Sequence, residues 1–399
     1  MNLAKSSVNS KENINLSFKI LSAIGIIVIV SGHCYHGGFE LAYNWFPTYS
    51  FNIALFVFIS GYFYKKKYIN EMGKYIWKRT KRLIIPAYIW NIFYCLFITV
   101  MAWFGYTIGD KISWYNIFVM PFVDGEAFQY NLGSWFVYPL FTVCIFNLLF
   151  RKVLNLLHIE NEYLILIIYT IVGMYGISLA IDNSAIGVSG VMKLLIRSMF
   201  FLPCFQFGQF YRCKIENKDT LDNVPYFAIL FVIQSGLLLF TDNNLEYTPS
   251  TCSGFNNGVI IPYISAITAI AFWLRISKLL VPVLGNSKIV RLIADNTYSI
   301  MINHFLGFMC MKWICYFINK FSLTLIFSDF NEISMKSNIW YVYVPKGLYQ
   351  FAFFYLMAGI FVPIGISLLL KKIYNTLNIK GRLTSRLKKP KINSVGRAI

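Results

Sequence analysis

The sequence predicts an all-α integral membrane protein, a bundle of about ten transmembrane helices with both termini in the cytoplasm. Three observations carry this expectation. Hydrophobic residues make up 57% of the 399 and charged residues only 13%, about half the charged share of a soluble domain. Apolar runs of about 20 residues recur along the chain, each long enough to cross a hydrocarbon core of about 30 Å. Lys and Arg gather between alternate runs, as the positive-inside rule requires. Strand-sized alternating segments are absent, which argues against a membrane β-barrel.

In order, the runs lie near residues 16–36, 45–64, 83–105, 132–150, 162–181, 191–211, 224–241, 257–280, 289–318 and 347–370. The first is too long for the apolar region of a signal peptide, and no small-residue cleavage site follows, so it reads as an uncleaved anchor. The third follows a basic stretch from Lys65 to Arg82. The ninth is the longest and is expected to tilt or to break near Gly307. The tenth leads into a basic segment. The chain therefore divides into one transmembrane domain, 1–370, and a basic cytoplasmic tail, 371–399, which reads as a topology determinant lying against anionic lipid.

Charge orients the bundle. With the N-terminus inside, the inner segments hold 29 Lys and Arg residues and the outer loops four: Lys111, Lys320, Lys336 and Lys346. Lys193, Arg197 and Lys312 fall within spans. The net charge of +19 is thus a topology signal and not a nucleic-acid footprint, which needs cations gathered on one face. The eight cysteines show no metal-ligand spacing and imply no disulfide framework. No metal is expected.

Polar groups in a bilayer are costly, so each is a functional candidate. His33 ends the apolar run of the first helix, roughly 21 Å along the axis from Lys19. That depth is toward the outer side, where an imidazole can take a proton from a hydroxyl. An interfacial histidine with water access is the plainer alternative. His36 shares its face and is the weaker candidate. Arg79 and Arg82 are three apart at the inner end of the third helix. Two guanidiniums there can bind a phosphate-bearing ligand, although basic helix ends are also ordinary topology signals. Lys193 and Arg197, at i and i+4 near the outer end of the sixth helix, are placed to contact an anionic glycan or a lipid-linked phosphate, or to snorkel to headgroups. Trp135 reads as an interfacial anchor and a substrate contact. His304 reads as a buried core histidine. The outer loop acids Asp110, Asp124 and Glu126 are candidates to polarise His33.

Taken together, several motifs resemble acyltransferase family 3, the membrane-bound acyltransferases of bacterial surface glycans. They are His33 at the end of the first run, Phe51-Asn52-Ile53-Ala54-Leu55-Phe56-Val57-Phe58-Ile59-Ser60-Gly61-Tyr62 in the second, and Arg79-x-x-Arg82-x-x-x-Pro86 entering the third. Gly133-Ser134-Trp135-Phe136 and the stretch from Asp295 to His304 add weaker echoes. The resemblance implies transfer of an acyl group, usually acetyl, from cytosolic acyl-CoA to a hydroxyl of a cell-surface polysaccharide or its lipid-linked precursor. It implies a multi-pass protein of the bacterial inner membrane. His33 matches the family's essential histidine, and Arg79 and Arg82 its paired arginines for the CoA phosphates. Ser22 stands where the family usually has a basic residue, and Lys19, one turn earlier on that face, is the candidate substitute. Acetyl-CoA is expected as donor substrate, with no permanently bound cofactor. His33 acts either as general base or as acyl carrier. The rival readings are a transporter or flippase, and a polymerase, of lipid-linked glycans. A transporter often carries inverted repeats, and none is evident.

Overall fold

A computed structural model describes residues 2–34, 45–125, 128–321, 327, 329–345 and 348–387, with side chains over residues 16–377. His36, Glu126, Lys346 and residues 388–399 of the basic segment lie outside the described residues. Among the described residues the chain is helical and has no β-strand, only an isolated bridge between Thr248 and Ser253.

A helix lies in each of the ten expected stretches. They are α1 (Asn2–Gly32), α2 (Thr48–Tyr62), α3 (Met72–Trp103), α4 (Gln129–Leu156), α5 (Glu162–Asp182), α6 (Gly190–Phe210), α7 (Asn223–Phe240), α8 (Ile261–Leu279), α9 (Thr297–Lys320) and α10 (Ala352–Leu387). Among the described residues seven helices are long and apolar enough to cross a membrane, and α2 and the Leu16–Gly32 part of α1 are shorter apolar helices. Lipid-facing side chains are plentiful: α3 and α7 bury little of their surface inside the protein. With lipid as solvent, close packing and polar contacts rather than the hydrophobic effect hold helix to helix.

Two apolar cores divide the bundle. One gathers α2, α4, α5, α6 and α8 around Phe58, Phe201 and Trp273. The other gathers α9, α10, the end of α3 and residues 330–343 around Phe305, Phe308 and Tyr355. Helix α1 is the seam, with Phe18, Leu21 and Val28 in the first core and Ala23, Ile26 and Val30 in the second. The closest approach is between α2 and α6. A Cβ on Gly61 would lie 1.8 Å from the Phe205 carbonyl oxygen, and one on Gly208 would lie 2.0 Å from that of Phe58. The glycine of the Ser60-Gly61-Tyr62 motif is there because two backbones touch.

Two expectations are corrected. The ninth run breaks at Asn296, not near Gly307. A short helix, Lys288–Ala294, precedes α9, and the Asn296 side chain donates to the Leu292 carbonyl at 2.7 Å, competing with the helical backbone. Helix α9 passes unbroken through Gly307, which packs against the Ala358 carbonyl. Helix α3 begins well before residue 83 and contains a π turn at Thr80–Ile84. Pro86 lacks the N–H that would bond to the Arg82 carbonyl, so the turn widens there. Helix α10 runs on past residue 370 to Leu387.

Candidate active site

A cavity of about 230 Å³ lies in the seam between the two cores. Each helix contributes residues at its own period. Helix α1 gives Ser22, Ile26, Ile29 and, one residue past its end, His33; α9 gives Thr297, Tyr298, Met301 and His304. Spacings of three and four put Ser22, Ile26, Ile29 and His33 on one face of α1 and Tyr298, Met301 and His304 on one face of α9, with Thr297 beside Tyr298. From Ser22 to His33 the cavity wall extends about 16 Å along the α1 axis.

The two histidines meet in this cavity. Their rings stack with centroids 5.1 Å apart and planes 12° apart. His304 Nδ1 lies 3.1 Å from the Ile300 carbonyl oxygen and 2.9 Å from that of Met301. Carbonyls only accept, so Nδ1 carries the proton and Nε2 holds the lone pair. Nε2 is buried with no partner among the described residues. A base-competent nitrogen is therefore fixed in place by the backbone of its own helix. The neighbouring Asn303 is held by the Tyr94 hydroxyl, which donates to Oδ1 at 2.7 Å. Phe305 and Trp340 complete the surroundings of His33, with centroids at 5.3 and 5.4 Å.

The Gly133-Ser134-Trp135-Phe136 motif forms the opposite wall. It lies in the 3₁₀ turn, Gln129–Phe136, that opens α4. A Cβ on Gly133 would lie 1.9 Å from the Met301 carbonyl oxygen and 3.4 Å from His304 Cε1. Glycine lets this turn rest on α9 beside the histidine.

A second cavity of about 400 Å³ is lined by Phe63, Lys65, Tyr68, Tyr75, Lys78, Arg79 and Arg82, together with Ile59 and Ser60. Ile59 and Ser60 also line the histidine cavity, so the two spaces adjoin across one stretch of α2. Arg79, just before the π turn, and Arg82, within it, reach the same cavity. Arg79 Nε donates to the Tyr75 hydroxyl at 3.1 Å, with the guanidinium 5.2 Å from that ring. None of the four cations forms an ion pair among the described residues. Tyr298 links this end to α9 by donating to the Leu83 carbonyl at 2.8 Å.

The other expected residues are placed differently. Lys19 pairs with Asp295 at 3.1 Å and lines neither cavity. Ser22 lines the histidine cavity and donates to the Phe18 carbonyl at 2.7 Å. Lys193 and Arg197 are not presented outward. Lys193 pairs with Asp124 at 3.0 Å. Arg197 is 2% exposed and donates to the carbonyls of Asp124, at 2.8 Å, and Ser250. Its guanidinium sits 4.9 Å above the Trp135 ring, so Arg197 braces a wall of the histidine cavity. Asp124 accordingly faces Lys193 and the Gly190 N–H. Arg151, counted in sequence among the loop cations, is buried against Glu162.

Sequence reasoning took His304 as core and passed over Lys65, Tyr68, Tyr75, Lys78 and Trp340. The spacing of Tyr298, Met301 and His304 was the signal available for α9. Nothing local marked Trp340, whose contact with His33 spans the whole chain.

A family model for the acyltransferase domain of acyltransferase family 3 matches residues 15–370. No curated protein and no solved structure matches the chain. The matched stretch runs from within α1 to the middle of α10, so the chain belongs to this family and is a membrane acyltransferase.

Proposed function

We propose that this family member transfers an acyl group, by family weight acetyl, from acyl-CoA to a hydroxyl of a surface polysaccharide or its lipid-linked precursor. All ten helices cross the bacterial inner membrane in this reading, with both termini and the Arg79–Arg82 cavity facing the cytosol and His33 toward the outer side. One observation carries it: the cation-lined cavity and the histidine cavity share Ile59 and Ser60.

The chemistry follows from that adjacency. CoA is multiply charged at its nucleotide end and cannot enter lipid. Lys65, Lys78, Arg79 and Arg82 hold its phosphates without losing charge to internal carboxylates. Tyr68 and Tyr75 offer ring faces beside them. The long, nearly neutral pantetheine arm runs past Ser60 into the apolar histidine cavity lined by α1, α2, α4 and α9, since a polar path at that depth needs protein walls. At the far end His33 takes the proton of the acceptor hydroxyl. The hydroxyl oxygen bonds to the thioester carbonyl carbon, the C–S bond breaks, and the departing thiolate receives the proton. His304 packs against the imidazole that does this work, and Trp135 walls the acyl group.

Replacing His33 with Ala tests the reading. Membranes carrying His33→Ala at normal abundance should transfer no acetyl from labelled acetyl-CoA to glycan, read as alkali-labile ester acetate. Retained transfer sinks the assignment. Shortened glycan chains with normal ester content would point instead to a polymerase or flippase.

A further inference from the structure

We propose that Trp340 is the platform on which a pyranose ring of the acceptor stacks, bringing a sugar hydroxyl against His33; this deepens the acyltransfer reading and rests on it. Trp340 is half exposed, at 52%, yet its ring packs on both His33 and Phe305, with centroids 5.4 and 5.3 Å away. An ordinary interfacial tryptophan anchors a helix end in headgroups. This one comes from a connecting segment and lies against the proposed base.

The backbone beneath the ring is fixed at several points. Ile339, the preceding residue, is 3% exposed. Its carbonyl accepts a 3.0 Å hydrogen bond from Lys312 Nζ on α9, and Lys312 is 1% exposed. The Trp340 N–H donates to Asn338 Oδ1 at 2.9 Å. The Thr107 N–H holds the Lys336 carbonyl at 2.9 Å, and the Tyr343 hydroxyl donates to Asp329 at 2.6 Å. An ammonium buried at membrane depth is costly. Here that cost secures the one carbonyl next to Trp340, which makes Lys312 a positioning residue for the ring.

A sugar is the ligand class that fits. The indole face is electron-rich and presents a large flat area with only two side-chain torsions to freeze. One face of a pyranose is a patch of C–H groups with hydroxyls at its rim. Stacking on Trp340 aligns such a rim with the His33 imidazole beside it.

Membranes holding the full chain, labelled acetyl-CoA, and the methyl glycosides of glucose, galactose, mannose and rhamnose as acceptor probes test this. The wild type should acetylate at least one glycoside. Trp340→Ala should raise the KM for that glycoside about tenfold or more, the worth of one aromatic stack, and leave the KM for acetyl-CoA unchanged. Trp340→Phe should recover most of the loss. Lys312→Met should copy the acceptor defect, and Lys312→Arg should relieve it. His33-dependent hydrolysis of acetyl-CoA without sugar by the wild type reports donor use, and an unchanged unfolding temperature in detergent reports that each variant is folded. An unchanged glycoside KM in Trp340→Ala overturns the proposal, as does hydrolysis by the wild type with no transfer to any of the four sugars. Loss of the His33 dependence itself would instead overturn the underlying reading.

Discussion

Two arginine sites differ in everything but the residue type. Arg151 is buried and fully spoken for. Its guanidinium donates to both Glu162 oxygens at 3.1 and 2.8 Å, to Gln206 at 2.9 Å and to Asn147 at 3.1 Å. Arg79 and Arg82, together with Lys65 and Lys78, face a cavity with no carboxylate partner among the described residues. A cation neutralised inside the protein holds helices together, here α4, α5 and α6. A cation left without a counter-charge beside a cavity keeps its field for an anionic ligand. Position in the sequence does not separate the two cases, because all three arginines lie in segments that the positive-inside rule predicts to be inside.

The largest effect should come from breaking the satisfied site. Glu162→Gln leaves Arg151 buried beside a neutral amide, and removing one partner of such a pair costs about 3–5 kcal/mol. Thermal unfolding of the detergent-solubilised protein should show a steep loss of stability. Replacing Arg151 and Glu162 together by Leu should recover part of it, since no lone charge remains. Equal stability of Glu162→Gln and wild type would erase the distinction.

Next comes the open site. Replacing both Arg79 and Arg82 by Ala should leave unfolding temperature unchanged and raise the KM for acetyl-CoA about 100-fold, as charged hydrogen bonds of about 1.5–3 kcal/mol are lost. Single Arg→Lys variants keep charge but lose the planar fork, so about tenfold is expected. An unaltered donor KM in the double variant would remove these arginines from the donor site.

A third site is intermediate. Lys193 and Asp124 are mostly buried, at 10% and 15% side-chain exposure, and the Asp124 carbonyl holds Arg197, which lies over Trp135. A double-mutant cycle of Lys193→Met and Asp124→Asn should give a coupling of about 1–3 kcal/mol in stability. Coupling near zero would leave Lys193 available to a ligand.

The smallest effect concerns pH. Burial pushes the Asp219 carboxyl up, but the Lys278 hydrogen bond and the charges of Lys278 and Arg275 outweigh it and hold the carboxyl below its usual range. Its stabilisation is therefore present above the unfolded carboxylate pKa of about 4 and is lost as pH falls through the lower folded value. Unfolding temperature should decline on acidification below about pH 4, and less so in Asp219→Asn. An identical decline in both would rule out Asp219 as the titrating group.

Much of the architecture was legible because lipid imposes length and hydrophobicity on each helix. The stretch from Ser60 to Tyr62 and the pair Arg79 and Arg82 were legible as motifs. What stayed hidden depends on tertiary contact. His33 and His304 are 271 positions apart, and only the packing of α1 on α9 stacks their rings. Lys312 looked like an isolated charge until the fold supplied the Ile339 carbonyl. The break at Asn296 was misjudged because a glycine inside a helix was taken as the weak point. Gly307 is instead a contact point for α10, and the asparagine is what competes with the backbone.

The contact of Gly61 and Gly208 with opposing carbonyls has a mechanical consequence. Two helices touching backbone to backbone cannot roll or slide past one another by a residue without collision. Helices α2 and α6 therefore form a stator, and Ile59 and Ser60, the wall common to both cavities, ride on it. Any widening of the space between the cavities falls to the facing side, where the Tyr298 hydroxyl ties α9 to the π turn of α3 and the Tyr94 hydroxyl ties α3 to Asn303 of α9.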